Sequence, residues 1–226
     1  MTCNFISNAS VLRFTRLDNC GKPVSGPTNG FVTECFASVA MAPNTDEQDD
    51  KLYKAANGKL CAFKKGCLTL LGYDVTITLE FVSPELIDIL TQQPLVLPAT
   101  GTVPIGWDDC SIPCNGGFGL EIWTELLGEP CPSAGTPLFL YTLLPWIQNG
   151  YIGDIELGSE TVNLEITGAT RAGGAWDVGP YLVTRDSLDA PSKMLTPLGA
   201  NCHRRTFTTD VAPPTATCTY QTVTFP

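Results

Sequence analysis

Tyr73-Asp74-Val75-Thr76-Ile77-Thr78-Leu79-Glu80-Phe81-Val82 is the stretch that decides the fold class of this chain. Tyr73, Val75, Ile77, Leu79 and Phe81 alternate with Asp74, Thr76, Thr78 and Glu80. That strict period of two puts one face in a core and the other in water, so a strand is expected over 73–82. Ser83-Pro84-Glu85 follows at once. Ser83 can cap a helix, Pro84 suits its first position, and Glu85 favours the positive end of the dipole. Leu86, Ile87 and Leu90 then make one apolar face, and this is the single helix the sequence supports.

Outward from this unit, further alternating or β-rich runs lie at 11–16, 31–40, 118–126, 138–144, 161–166, 181–184 and 218–225. Together they make about eight strands, punctuated by 21 Gly and 18 Pro, the pattern of a sandwich or barrel. The expected fold is mainly β: one domain over 1–226, with one flanking helix and long loops. Residues 93–136 read as a Pro/Gly/Cys-rich insertion and the chain after about 186 as a C-terminal arm.

Charge is distributed unevenly. Between Gly66 and Thr170 there is no Lys, Arg or His, while Asp74, Glu80, Glu121, Glu165 and nine further acids fall there, so this segment is expected to present an acidic surface. Just before it, Asp46, Glu47, Asp49 and Asp50 precede Lys51, Lys54, Lys59, Lys64 and Lys65, a negative block followed by a positive one.

The 226 residues suffice for a real core. Charged residues make up only 16%, low against the usual quarter, which suggests a surface largely covered by other subunits. A net charge of −10 disfavours a grip on nucleic acid, because affinity for phosphate comes from clustered Lys and Arg. No run of 18 uncharged apolar residues and no basic, apolar leader appear, so the chain is read as made and kept in a cytosol, with no membrane partner.

Motifs for catalysis are weak. The single histidine, His203, has Cys202, Arg204 and Arg205 as neighbours but no Cys-His signature of a thiol enzyme around it, and reads as a surface or contact residue. The carboxylates lack a specific pairing and read as a solvated face. Ten cysteines include the close pairs Cys61/Cys67 and Cys110/Cys114, without CxxC spacing or a nearby His. A disulfide or a reduced buried pair is favoured there over zinc. The 44–50 loop lacks the Gly and terminal Glu of a calcium-binding loop, and Gly116-Gly117-Phe118-Gly119 opens a strand instead of a phosphate-binding helix. No cofactor and no metal are expected.

Arg13-Phe14-Thr15-Arg16-Leu17-Asp18-Asn19-Cys20-Gly21-Lys22-Pro23-Val24, running on to Gly26-Pro27, resembles the opening of the major tail protein of long-tailed phages of actinobacteria. The resemblance continues through Asn57-Gly58-Lys59-Leu60-Cys61, Gly72-Tyr73-Asp74-Val75 and Ser83-Pro84-Glu85-Leu86, and resumes at Pro145-Trp146, Gly153-Asp154, Thr167-Gly168-Ala169-Thr170-Arg171, Trp176 and Gly179-Pro180-Tyr181-Leu182-Val183. It covers roughly 11–185, weakly around 93–136.

The resemblance implies a virion protein, assembled in the host cytoplasm, whose rings of six stack into the tail tube through which the genome passes. Its partners would be further copies of itself and the tail-tip, tape-measure and tail-terminator proteins, with DNA passing unbound. The 43–67 loop would match the long loop that such proteins extend toward a neighbour, its charges Asp46, Glu47, Asp49, Asp50, Lys51, Lys54 and Lys59 setting register more than affinity. Asp74 and Glu80, off the core face of their strand, are the leading channel-lining acids, since a wall of like charge keeps phosphates off its surface. Two rival readings are a disulfide-containing β-sandwich that binds a receptor or carbohydrate, and a carboxylate hydrolase. A terminator, connector or tail-tip protein of related fold is a third.

Overall fold

The computed structural model describes residues 5–112, 114–127, 137–155 and 163–225. The first half of the chain runs β1 (Phe5–Leu17), β2 (Gly26–Thr33), β3 (Phe36–Glu47), β4 (Lys51–Lys54), β5 (Leu60–Lys64), β6 (Leu68–Leu79), α1 (Pro84–Thr91), β7 (Leu95–Val96) and β8 (Gly106–Trp107). The second half runs β9 (Gly117–Leu127), β10 (Leu138–Ile152), β11 (Leu164–Thr170), β12 (Thr184–Arg185), β13 (Pro191–Ser192), β14 (Arg205–Thr209) and β15 (Tyr220–Val223), with one 3-10 turn at Gly174–Trp176. The fold is mainly β with one helix, and every pairing among the described residues is antiparallel.

The main sheet has the order β15-β2-β1-β9-β10-β11-β6-β3 and ends at β15 and β3 without closing, so the barrel alternative does not hold. The sheet forks at β10. One edge of that strand follows β9, while the other pairs with β14 over 139–143 and with β11 over 147–152. The register shifts between Leu144 and Ile147, where Pro145 has no N–H to give to a ladder.

The decisive stretch behaves as its period dictates. Val75, Ile77 and Leu79 are buried, Asp74 is exposed, and Thr76 and Thr78 lie between. Two boundaries differ: the strand begins earlier, at Leu68, and stops at Leu79, because Glu80 to Val82 bend to place Ser83 at the helix start. Ser83 accepts the Leu86 N–H, Pro84 opens the helix, and Gln92 closes it in the left-handed conformation. Leu86, Ile87, Ile89 and Leu90 are all buried, so the helix is packed on more than one side. It lies close to β10 at Gly150, where a Cβ would stand 2.1 Å from the Leu90 carbonyl oxygen.

The run at 31–40 is two strands instead of one. The chain breaks at Glu34-Cys35, where the Cys35 N–H bonds to Thr33 Oγ1, and passes from β2, beside β1, to β3, beside β6 at the far end of the sheet. The expected 161–166 strand begins at Leu164, and 161–162 lie outside the described residues. The 93–136 stretch is not an insertion as a whole: after the β7/β8 hairpin it contains β9, which lies between β1 and β10 in the middle of the main sheet; its residues 113 and 128–136 lie outside the described ones. The segment after 186 is not an extended arm. Met194 and Leu198 are buried on the sheet, and β14 and β15 are paired to β10 and β2.

Two apolar clusters result, one on each face of the central strands. Leu12, Phe14, Phe118, Leu120 and Ile122 pack toward α1. Val11, Leu17, Trp123, Tyr141 and Leu143 pack under Trp176, Val183, Met194 and Leu198. A charged pair sits in this second layer. Arg13 and Glu121 face each other across the β1/β9 register and form two hydrogen bonds of 2.5 Å. Tyr141 donates to the same carboxylate at 2.6 Å, and the guanidinium lies 3.4 Å from the centre of the Tyr181 ring and 4.9 Å from that of Trp123. Glu121 is therefore interior, which corrects the expectation of a uniformly acidic surface over 66–170.

Burial works against the charge on Arg13, but the adjacent carboxylate outweighs it and holds the guanidinium pKa above its ordinary value. Burial, reinforced by Glu121, pushes the Tyr141 phenol well up and that of Tyr181 to about 12.

Candidate assembly surfaces

From Pro43 to Leu71 the chain leaves the body as a narrow ribbon. The ends of β3 and β6 pair from Asn44↔Gly72 to Glu47↔Leu68, and β4 and β5 pair beyond them as a hairpin. The expected 43–67 loop is thus a two-stranded arm. Its residues are exposed almost throughout, among them Leu52, Tyr53, Leu60, Phe63, Leu68 and Leu70. A two-stranded hairpin with no buried face has little stability of its own, and an apolar surface of this kind marks a contact with another molecule.

The charges divide along the arm. Asp46, Glu47, Asp49 and Asp50 lie at its neck, all exposed, and Asp50 accepts the Gly66 N–H at 2.7 Å, fixing the neck as well as charging it. A Cβ at Gly66 would stand 1.6 Å from the Gln48 carbonyl oxygen, so the neck admits only glycine there. Beyond it lie the lysines: Lys51, Lys64 and Lys65 at the base of the hairpin and Lys54 and Lys59 at its far end. Lys51 stands directly opposite Lys64 in the ladder.

Asp74 is exposed on β6, opposite Ala42 of β3 and Ala169 of β11. Thr78 is opposite Glu165, so the exposed Glu165 shares the Asp74 face. Small and hydroxyl side chains fill the rest of it: Ala40, Ala42, Thr76 and Thr167, with Ser38 donating to Thr78 Oγ1. Glu80 is exposed one residue past the strand. Strand parity in the sequence groups Asp74 with Thr76 and Thr78; the addition of Glu165 needed the β6/β11 register. The outer edge of the 12-residue β3 has no partner among the described residues, and such an edge templates further pairing unless covered.

Cys61, Cys67, Cys110 and Cys114 are all exposed free thiols, so neither close pair is bonded or buried here. Among the described residues, no group of three or more His, Cys, Asp or Glu could hold a metal ion. His203 is half-buried, its Nδ1 3.2 Å from Thr170 Oγ1, and the same hydroxyl accepts the Tyr73 N–H. A groove of about 670 Å³ opens beside β3, lined by Phe36, Val39, Met41, Ile122, Leu140 and Thr142, and among the described residues Arg204 is the one charged group on its wall. No helix among the described residues is long and apolar enough to cross a membrane.

Comparison with protein-family models gives no match, and neither does comparison with curated protein sequences.

Proposed function

We propose that this protein is a structural subunit that assembles with copies of itself into stacked rings, most simply of six, as a phage tail tube. One observation carries the reading: an arm from 43 to 71 holds exposed Leu, Tyr and Phe side chains that its own chain leaves uncovered. The open β3 edge and a formal charge of −10 on a lightly charged chain support it. An arm on one surface and its receptor on another make heterologous contacts, which close into rings in one direction and remain open along an axis. The face bearing Asp74 and Glu165, with Glu80 beside it, is the candidate channel wall: hydroxylated and acidic, it would repel phosphate and let DNA slide.

The test is negative-stain electron microscopy of the purified chain over a concentration series, with and without tail-tip components. Stacked rings with an open centre are expected. Single rings that never stack would move the protein to a terminator role, and monomers under every condition would overturn the assembly reading.

A further inference from the structure

We propose that the lysine-rich arm tip of one copy docks on the 103–112 platform of a second copy, and that Cys61 and Cys110 become joined by a disulfide across that contact. The inference rests on the self-assembly reading above and names the surface that receives the arm.

The tip lacks counter-charge. Residues 51–65 hold five lysines and no acid, whereas the chain's other eight basic residues stand against all 23 acids. Lys51 faces Lys64 across the hairpin, and like charges directly opposite destabilise a ladder. No ion pair among the described residues involves any of the five. The lysines are thus free to meet acids of a second copy, beside an apolar surface that can cover Leu60 and Phe63, which are 57% and 53% exposed.

The 103–112 segment has that composition. Val103, Ile105 and Ile112 are 68%, 66% and 53% exposed, and Asp108 and Asp109 are exposed and outside every ion pair among the described residues. Its backbone is fixed from beneath. The buried Gln93 accepts the Cys110 N–H at 3.0 Å and donates to the Ser111 carbonyl at 2.8 Å, and the Asp108 N–H bonds to the Pro94 carbonyl at 2.9 Å. A surface held in shape before binding loses little ordering entropy on docking.

The thiols fall where this pairing brings them together. All eight described cysteines are exposed, so both of these are accessible, and what sets this pair apart is its position beside the lysines of the arm and the aspartates of the platform. Cys61 is the extra residue of a bulge, because Tyr53 pairs with Ala62 and Lys54 with Leu60, and bulges re-aim a side chain. It has Lys59 two residues before it, and Cys110 directly follows Asp109. Seating lysine on aspartate thus carries one thiol toward the other. In a reducing cytosol the contact stays non-covalent. In air, the two thiols each give a proton and an electron to dioxygen, which is reduced to hydrogen peroxide as the Sγ–Sγ bond forms.

The full chain, assembled and then exposed to air, tests this. A ladder of oligomers on non-reducing gels, abolished by dithiothreitol, is expected, with a Cys61–Cys110 linked peptide in the digest. Cys61→Ser and Cys110→Ser should each remove the ladder and leave the rings intact by microscopy. Lys54→Glu/Lys59→Glu should raise the concentration needed for assembly about tenfold or more, and Asp108→Lys/Asp109→Lys in the same chain should restore it. Rings that link through other cysteines, rings that do not link in air, or charge reversal without restoration would overturn this contact while leaving ring formation standing. A chain that remains monomeric throughout would overturn both.

Discussion

Replacing Arg13 with Met would leave the Glu121 carboxylate inside the sheet with Tyr141 as its remaining hydrogen-bond donor. Glu121 is 1% exposed and Arg13 7%, so water does not take the place of the missing guanidinium. Removing one partner of a buried pair costs about 3–5 kcal/mol, because the charge left behind has lost its compensation. For a chain of this size each kcal/mol shifts Tm by about 2–4 °C, so a fall of about 6–20 °C is expected by calorimetry. Replacing the whole network by apolar groups, Arg13→Met/Glu121→Leu/Tyr141→Phe, should recover most of that loss, since apolar substitutes for buried ion pairs are often neutral or stabilising. A Tm loss under about 2 °C in the single variant, or a triple variant as unstable as the single one, would refute the argument that an uncompensated buried carboxylate is the cause.

Ser83→Ala removes the acceptor for the Leu86 N–H and should cost about 1 kcal/mol in urea unfolding, with the helix otherwise retained by circular dichroism. Tyr181 is held neutral in the fold, with a pKa of about 12 against 10 in the unfolded chain. Its contribution to stability is complete below pH 10 and is lost as pH climbs through about 12; Tyr181→Phe should flatten that decline in denaturation curves taken across the window. Deleting the arm tip, 51–65, should leave Tm nearly unchanged, since those side chains add nothing to the core, while abolishing rings in micrographs. Asp74→Lys/Glu80→Lys should permit tube assembly but slow genome release in an ejection assay, and unchanged kinetics would remove these acids from the channel wall.

Legibility followed burial. The strand around Ile77 was readable because it buries one face and leaves the other wetter, which writes a period of two into the sequence, and the helix because Ser83-Pro84-Glu85 spells its start, although it is covered on more than one side. The arm strands bury no face, so Lys51–Lys54 and Leu60–Lys64 carry no alternation and look like a loop. The break at Glu34-Cys35 was hidden because both flanking segments are β-rich, and only their partners, β1 and β6, separate them. Glu121 looked like one more surface acid, although its place between Leu120 and Ile122 was a local hint of a covered strand.

By itself, the sequence determined the fold class, the capped helix, the division of the arm into acidic and basic blocks, and the excess of acids after Gly66, since each is a property of neighbours along the chain. Tertiary structure alone decided that the sheet stays open, that Arg13 meets Glu121, that Glu165 joins Asp74, and that Gln93 holds the segment bearing Asp108 and Cys110. Each depends on register or contact between residues well separated along the chain. Register is fixed by the summed burial of whole strands, and no local stretch contains that sum.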